Sequence, residues 1–205
     1  MLKKLSLLLL SSMLTVFVSA QNMHEVFRQM PANIYPYLSK TNRLDFMDFI
    51  DANMKAEVNN ELGSKSEMKE LTSDYTDINL NGSSNLQLKL LPTDSAKVIC
   101  MVSTYYGPEA DSNIRFFDSK WCPIQVDVKI PSVDKFFRRP DTVSVERYAQ
   151  LRKMIEPVLI SARLSSKDNT ITLSLGKPLL NSEDKKSLDA VLQQVTLVWN
   201  GKTFQ

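Results

Sequence analysis

Glycine and histidine are scarce in this chain, five and one among 205 residues. A phosphate-cradling loop needs clustered glycines so that backbone N–H groups converge, and none can be assembled. The lone histidine, His24, lies just beyond the expected leader, where chains fray, and reads as a solvated side chain. That leaves no ready Ser–His–Asp or Cys–His arrangement, and neither a G-x-S-x-G elbow nor an H-E-x-x-H helix occurs. Two cysteines and one histidine cannot compose a zinc site without carboxylates. Carboxylates are plentiful, but no spacing singles out a pair, and carboxylate separation is set by the fold. The chain therefore reads as a non-enzyme with no cofactor and no metal.

Charge of one sign is also missing. The formal balance is +2, and it falls to zero without Lys3 and Lys4. Nucleic-acid binding shows as a basic stripe, and the densest basic cluster, Lys135, Arg138 and Arg139, reads as a solvated face, so no nucleic-acid partner is expected. One long apolar run exists, residues 5–18. Two lysines precede it, and small residues follow it at Ser19-Ala20. This is the pattern of a secretory signal peptide cut after Ala20, too short for a comfortable membrane span. The expectation is an exported protein of the periplasm or cell surface, with no transmembrane segment after cleavage.

What is present is alternation. Residues 72–121 read as a β-meander. Ile78 and Leu80 share a face with Leu86, Leu88 and Leu90 across a turn at Asn81-Gly82. A two-residue loop there would send the two apolar sets to opposite faces. A loop over residues 81–83 or 81–85 is expected instead, pairing Ile78 with Leu86 or Leu88. Residues 97–106 are apolar on both faces, as in a central strand with a helix over one side. The run 124–130 alternates again.

Helices are expected at 24–30, at 42–55 (Asn42 as cap, Leu44, Met47 and Ile50 inward), at 144–155 and at about 182–193. The polar stretch 57–71 reads as a helix end, a turn and another short helix. A hairpin over 158–175 pairs Leu164 with Ile171 and Ala162 with Leu173. A terminal hairpin on Asn200-Gly201 pairs Leu197 with Phe204. The class is α+β: antiparallel sheets, a central meander plus C-terminal hairpins, packed with helices. A provisional division sets residues 1–20 as leader, 21–130 as helices plus meander and 131–205 as a second half. The two parts are either similar helix-on-sheet halves or one continuous domain.

Several residues carry competing readings. Bridging Cys100 and Cys122 would close a loop of about 20 residues, worth about 3 kcal/mol if unstrained. The alternative is that Cys100 is a small buried hydrophobe. Asp45, Asp48 and Asp51 form an acidic helix edge, read as solvated rather than as a cation site. The run Asp77–Gly82 matches the start of a calcium loop, but its twelfth position is Leu88 and its flanks alternate like strands, which rejects it. The candidate partner-binding aromatics are Tyr105, Tyr106, Phe117 and Trp121, against the reading that they are core.

The run from Pro36 to Asp51 (PYLSKTNRLDFMDFID), Asn53-Met54-Lys55-Ala56, residues 71–75 (LTSDY) and the closing Val198-Trp-Asn-Gly-Lys202 resemble a family of uncharacterised exported proteins from Gram-negative, gut-type anaerobes, a domain of unknown function. The resemblance spans nearly all of the chain after residue 20. It implies an envelope location and supplies no catalytic residues. Bacteria of that kind O-glycosylate exported proteins at Asp, Ser/Thr, apolar triplets, which Asp94-Ser95-Ala96 and Asp141-Thr142-Val143 match; turn and capping chemistry explains Ser95 and Thr142 equally well. Two functions compete: a non-catalytic binding module for an envelope protein, and a secreted carboxylate-dependent hydrolase acting on glycans.

Overall fold

The computed structural model describes residues 21–177 and 180–205; the expected signal peptide lies outside them. Alternating residues build a seven-stranded antiparallel sheet in which each strand lies beside its sequence neighbours. Its strands are β1 (Glu57–Asn59), β2 (Lys65–Leu71), β3 (Tyr75–Asn81), β4 (Ser84–Pro92), β5 (Lys97–Tyr106), β6 (Ala110–Phe117) and the short β7 (Pro123–Ile124). A second sheet holds β8 (Ile160–Leu164), β9 (Thr170–Leu175) and β10 (Val195–Val198), with β9 in the middle. The helices are α1 (Met23–Arg28), α2 (Lys40–Asp51), α3 (Val145–Lys153) and α4 (Ser182–Asp189), with a 3-10 turn at Val133–Phe136. The class is α+β, with the meander and C-terminal hairpins in place.

The period of two assigns the large sheet two faces. The first carries Ile78, Leu80, Leu86, Leu88, Ile99 and Met101 against Phe27 of α1 and Phe46 of α2. The second carries Tyr75, Leu91, Cys100, Val102 and Phe116 against Leu164 and Leu173 of the small sheet and Leu151 and Leu188 of α3 and α4. Strand β5 is therefore covered on both sides, as its apolar run predicts, with α1 and α2 over the first face and the small sheet, α3 and α4 over the second. The second core draws residues from both provisional halves.

The expected registers of two hairpins are observed. Ile78 pairs with Leu86, Leu164 with Ile171 and Ala162 with Leu173. At the first, the loop differs from the expected 81–83 or 81–85: Asn81 pairs with Ser84, leaving a two-residue loop over 82–83, and a bulge between Asn79 and Asn81 absorbs the odd residue, which lets a tight turn coexist with a shared apolar face. The Asn81 side chain steadies that turn by accepting from the Ser83 N–H at 2.8 Å.

Five expectations are corrected. Residues 57–71 form the β1–β2 hairpin, not a helix. Edge strands with one solvated face carry few apolar residues, here Val58 and Met68 inward. Gly63 takes φ 73° in the turn, and the side-chain oxygen Oδ1 of Asn60 accepts from the N–H groups of Leu62 and Ser64. The cap of α2 is Ser39; Asn42 is its reciprocal partner in a capping box.

The run 124–130 forms a ladder only at Pro123–Ile124. Beyond that, Lys129 donates its N–H to the Phe204 carbonyl and Val126 and Val128 pack on the second core. The alternation there is real, but no strand lies alongside. At the C-terminus Phe204 bridges Trp199, while Leu197 pairs with Ile171 of β9. The turn spans four residues, with Gly201 at φ 93°. The N-terminal segment is also held down: Met23, Val26, Phe27 and Met30 are buried, His24 is half-buried, and Glu25, Arg28 and Gln29 are exposed.

Candidate functional site

The second face of the large sheet is apolar over only part of its area. Cross-strand pairs share a face, and the pairs Asp77–Gln87, Asn79–Asn85, Asn85–Thr104 and Thr104–Ser112 are all polar. The small sheet covers the apolar part and lays β8 along the edge of this polar part. An edge strand carries unpaired N–H groups, and here side chains of the large sheet take them. Ile160 donates to Asp111 Oδ1 at 3.2 Å, Ala162 to Ser112 Oγ at 2.9 Å and Leu164 to Gln87 Oε1 at 3.0 Å. Ser112 Oγ also lies 2.8 Å from Thr104 Oγ1.

Behind this seam sits a satisfied polar network. Gln87 Nε2 donates to the Tyr75 hydroxyl at 2.8 Å and to Asp77 Oδ2 at 3.2 Å. Asn85 Nδ2 donates to Asp77 Oδ1 at 2.6 Å. The Tyr75 hydroxyl lies 3.4 Å from Asp77 Oδ2, and the exposed Arg163 guanidinium 3.6 Å from the same oxygen. Burial pushes the Tyr75 hydroxyl well above its ordinary value, and the Asp77 charge pushes it further, so the phenol stays a neutral donor. Lys89, 1% exposed, pairs with Asp74 at 2.9 Å and reaches the Ser166 carbonyl at 3.4 Å, tying β4 to the β8–β9 loop.

Two polar clefts open along the seam, and a smaller apolar one, of about 230 Å³, lies over Asp111 and Ser112 between Ile114, Ile130, Val158 and Ile160. One polar cleft, of about 300 Å³, lies over Gln87 and Thr104 and is bounded by Ser161, Thr172, Ser174 and Gln194. The other, of about 400 Å³, lies over Asp77, Asn79 and Asn85 and is bounded by Lys69 and Glu70. Tyr106 and Arg163 line both. A larger cleft, of about 670 Å³, lies away from the seam, beside α1 and α2. Its buried Arg43 donates to the Leu38 and Met30 carbonyls at 2.6 and 2.7 Å and acts as a tie between helix and loop; burial lowers its pKa.

Of the aromatics singled out from sequence, Tyr105 and Tyr106 are 55% and 47% exposed, whereas Phe117 and Trp121 are 2% and 4% exposed. The last two are core, 5.4 Å apart between ring centroids. Trp121 takes φ 63°, which turns its indole back under the sheet to donate to the Val26 carbonyl at 3.1 Å. Tyr105 and Tyr106 are neighbours on a strand and project to opposite faces; only Tyr106 joins the seam. Cys100 is buried and Cys122 exposed, and both are free thiols, so the disulfide is not formed. Burial pushes the Cys100 thiol far up.

Ser95 and Thr142 are exposed in turns, and Lys135, Arg138 and Arg139 are exposed. Asp48 and Asp51 are exposed and Asp45 half-buried on α2. Among the described residues no group of three or more His, Cys, Asp or Glu side chains could hold a metal ion, and no helix is long and apolar enough to cross a membrane.

Reading from sequence missed Gln87, Ser112 and Arg163, and took Asp77–Gly82 only as a calcium-loop mimic. The available signal was polar residues at alternate positions of β3 and β4, opposite the leucines. A family model described as a protein of unknown function (DUF3256) matches residues 15–204. No curated protein matches. A solved structure described as a domain of an uncharacterized protein from Porphyromonas gingivalis W83 is similar, with a TM-score of 0.72 and 23% identity, over 91% of this chain and 98% of that one. That likeness is one of fold.

Proposed function

We propose, for a chain that belongs to the family of proteins of unknown function DUF3256, the role of an exported, non-catalytic binding module of the cell envelope whose ligand surface is the polar seam. The leader-like first twenty residues support export. The observation that carries the binding reading is that Tyr106 and Arg163, both exposed, line two adjoining clefts over an ordered polar floor. Ordered polar groups beneath accessible aromatic and guanidinium side chains make a preformed recognition site.

The hydrolase reading has one feature in its favour: Glu70 and Asp77 are cross-strand partners in one cleft. Against it, both Asp77 oxygens already accept hydrogen bonds from protein donors, whereas a catalytic carboxyl must face a leaving group or a water. Of the other carboxyls, those of Glu57, Glu109, Glu146 and Asp168 are displaced downward, the wrong direction for a general acid. For Glu109 burial works upward, but the hydrogen bonds and charges of Lys185 and Lys177 outweigh it.

The test is a photo-crosslinking residue placed at Tyr106 in the native cell envelope, with the exposed turn residue Ser95, at the far end of β5, as control. A reproducible adduct at position 106 and none at 95 is expected. No adduct, or the same adducts at both positions, overturns the seam as a binding surface. Glycan cleavage by the native protein that disappears in Glu70→Gln would replace binding with hydrolysis.

A further inference from the structure

We infer that the seam takes a neutral, polyhydroxylated ligand, an oligosaccharide chain laid across both clefts, with Tyr106 and Arg163 at its centre. This inference rests on the seam as the binding surface and names the chemistry that fits it. The cleft over Gln87 is lined by the hydroxyls of Thr104, Ser161, Thr172 and Ser174 and the amide of Gln194; these groups bond to neighbours at 2.8 to 3.4 Å, and each keeps a further lone pair or proton for a ligand. The neighbouring cleft adds the amides of Asn79, Asn81 and Asn85. Hydroxyl and carboxamide groups each donate and accept, as a sugar's hydroxyls do, so a run of them matches a ligand whose polar groups alternate in both roles.

Charge and apolarity narrow the class. Lys69 and Arg163 are balanced by Glu70 and Asp77 around the second cleft, and Arg163 is the lone charged side chain of the first. A polyanion therefore finds no excess of cations to neutralise. A protein partner needs a desolvated apolar or aromatic cluster at the centre of its contact; the two polar clefts offer one aromatic ring, Tyr106, beside Ala110 and Ala162, and the exposed Ile130 and Val158 belong to the separate apolar cleft over Ser112. A single ring among hydrogen-bonding groups suits a sugar, which presents C–H surface on one side and hydroxyls around its rim. The two clefts, of about 300 and 400 Å³, adjoin at shared residues, which favours a chain over a lone small molecule. The seam recognises sugars without cutting them, because glycoside hydrolysis uses two carboxyls and Asp77, the partner of Glu70 in this cleft, is held by Asn85, Gln87 and Tyr75.

The experiment is affinity electrophoresis of the full exported chain in native gels. The gels contain galactomannan, mixed-linkage β-glucan, xyloglucan or arabinoxylan, with polygalacturonate and polymer-free gels as comparators. Retardation in at least one neutral gel is expected, with affinity falling about tenfold or more in Tyr106→Ala and in Arg163→Ala. Both side chains are exposed, and unchanged melting temperatures confirm that the variants fold. Retardation that both variants retain, or that only polygalacturonate produces, overturns the inference, as does its absence from every neutral gel. In the last case a protein adduct at position 106 keeps the seam as a binding surface and replaces its ligand class, whereas no adduct removes both readings together.

Discussion

The two faces of the seven-stranded sheet are made by alternate residues of the same strands, yet they do different work. On the first face, Ile78, Leu86, Leu88, Ile99 and Met101 form a continuous apolar field, and α1 and α2 seal it with Phe27 and Phe46. On the second, the apolar field ends partway: Tyr75, Leu91, Val102 and Phe116 give way along their own strands to Asp77, Gln87, Thr104 and Ser112. The C-terminal layer follows that boundary. It buries the apolar part and leaves the polar part as an accessible seam. A sheet face that changes character along its strands thus positions both a second core and a candidate site, without a loop devoted to either.

The largest contrast to test is between the two thiols. Cys100 lies under the C-terminal layer and Cys122 is exposed, so a thiol reagent is expected to label Cys122 at once. Cys100 should react about 10³-fold or more slowly, through unfolding alone. One fast and one slow thiol confirm the layer; two fast thiols break the claim that it seals the apolar part.

Next in size, Phe46→Ala on the sealed face should cost about 3–5 kcal/mol of unfolding free energy in denaturant titration, because the ring is fully buried in the first core. Gln87→Leu on the mixed face should cost less, about 1–3 kcal/mol, through the stranded Leu164 N–H and the lost bonds to Tyr75 and Asp77. An equal loss at both positions would erase the distinction between the faces.

Smaller still is an effect at the sheet edge. Hydrogen bonds from Lys55 and Lys65, with their charges, hold the Glu57 carboxyl down at about 2 against an ordinary 4.5. A lowered folded value means the contribution is present above the ordinary value and is lost as pH falls toward about 2. Amide-exchange protection of β1 and β2 should therefore weaken across that window before that of β4 and β5; simultaneous loss would contradict a local origin. At the bottom of the scale, Tyr106→Ala should change stability by no more than about 0.5 kcal/mol while weakening binding about tenfold or more. A large loss of stability would make Tyr106 structural.

Much of this architecture can be read from residue patterns where periodicity and burial agree. The Ile78–Leu86 and Leu164–Ile171 registers follow from keeping apolar residues on one face, and the double coverage of β5 follows from its unbroken apolar run. The reading fails where burial is one-sided or partners are distant. Residues 57–71 look helical or irregular because a solvated edge hairpin needs only Val58 and Met68 inward. The run 124–130 alternates correctly but has no adjacent strand over most of its length. Asn42 is a good cap by composition, yet Ser39 takes that position and leaves Asn42 to complete the box.

The seam was half visible. The alternation Asp77, Asn79, Asn81 and its partner run Asn85, Gln87 could be read as one polar sheet face. Arg163 comes from β8, and nothing local to residue 163 announces that β8 will lie beside β4.

The docking of β8 has a further consequence for the life of the chain among its copies. A bare strand edge is a template on which another molecule can grow a sheet. The donors of Ile160, Ala162 and Leu164 are withdrawn from that use by Asp111, Ser112 and Gln87, side chains that arrive more than forty residues earlier in the sequence. Until the meander is formed those donors stand open, so the order in which the two sheets mature sets how long the chain is exposed to polymerising with itself.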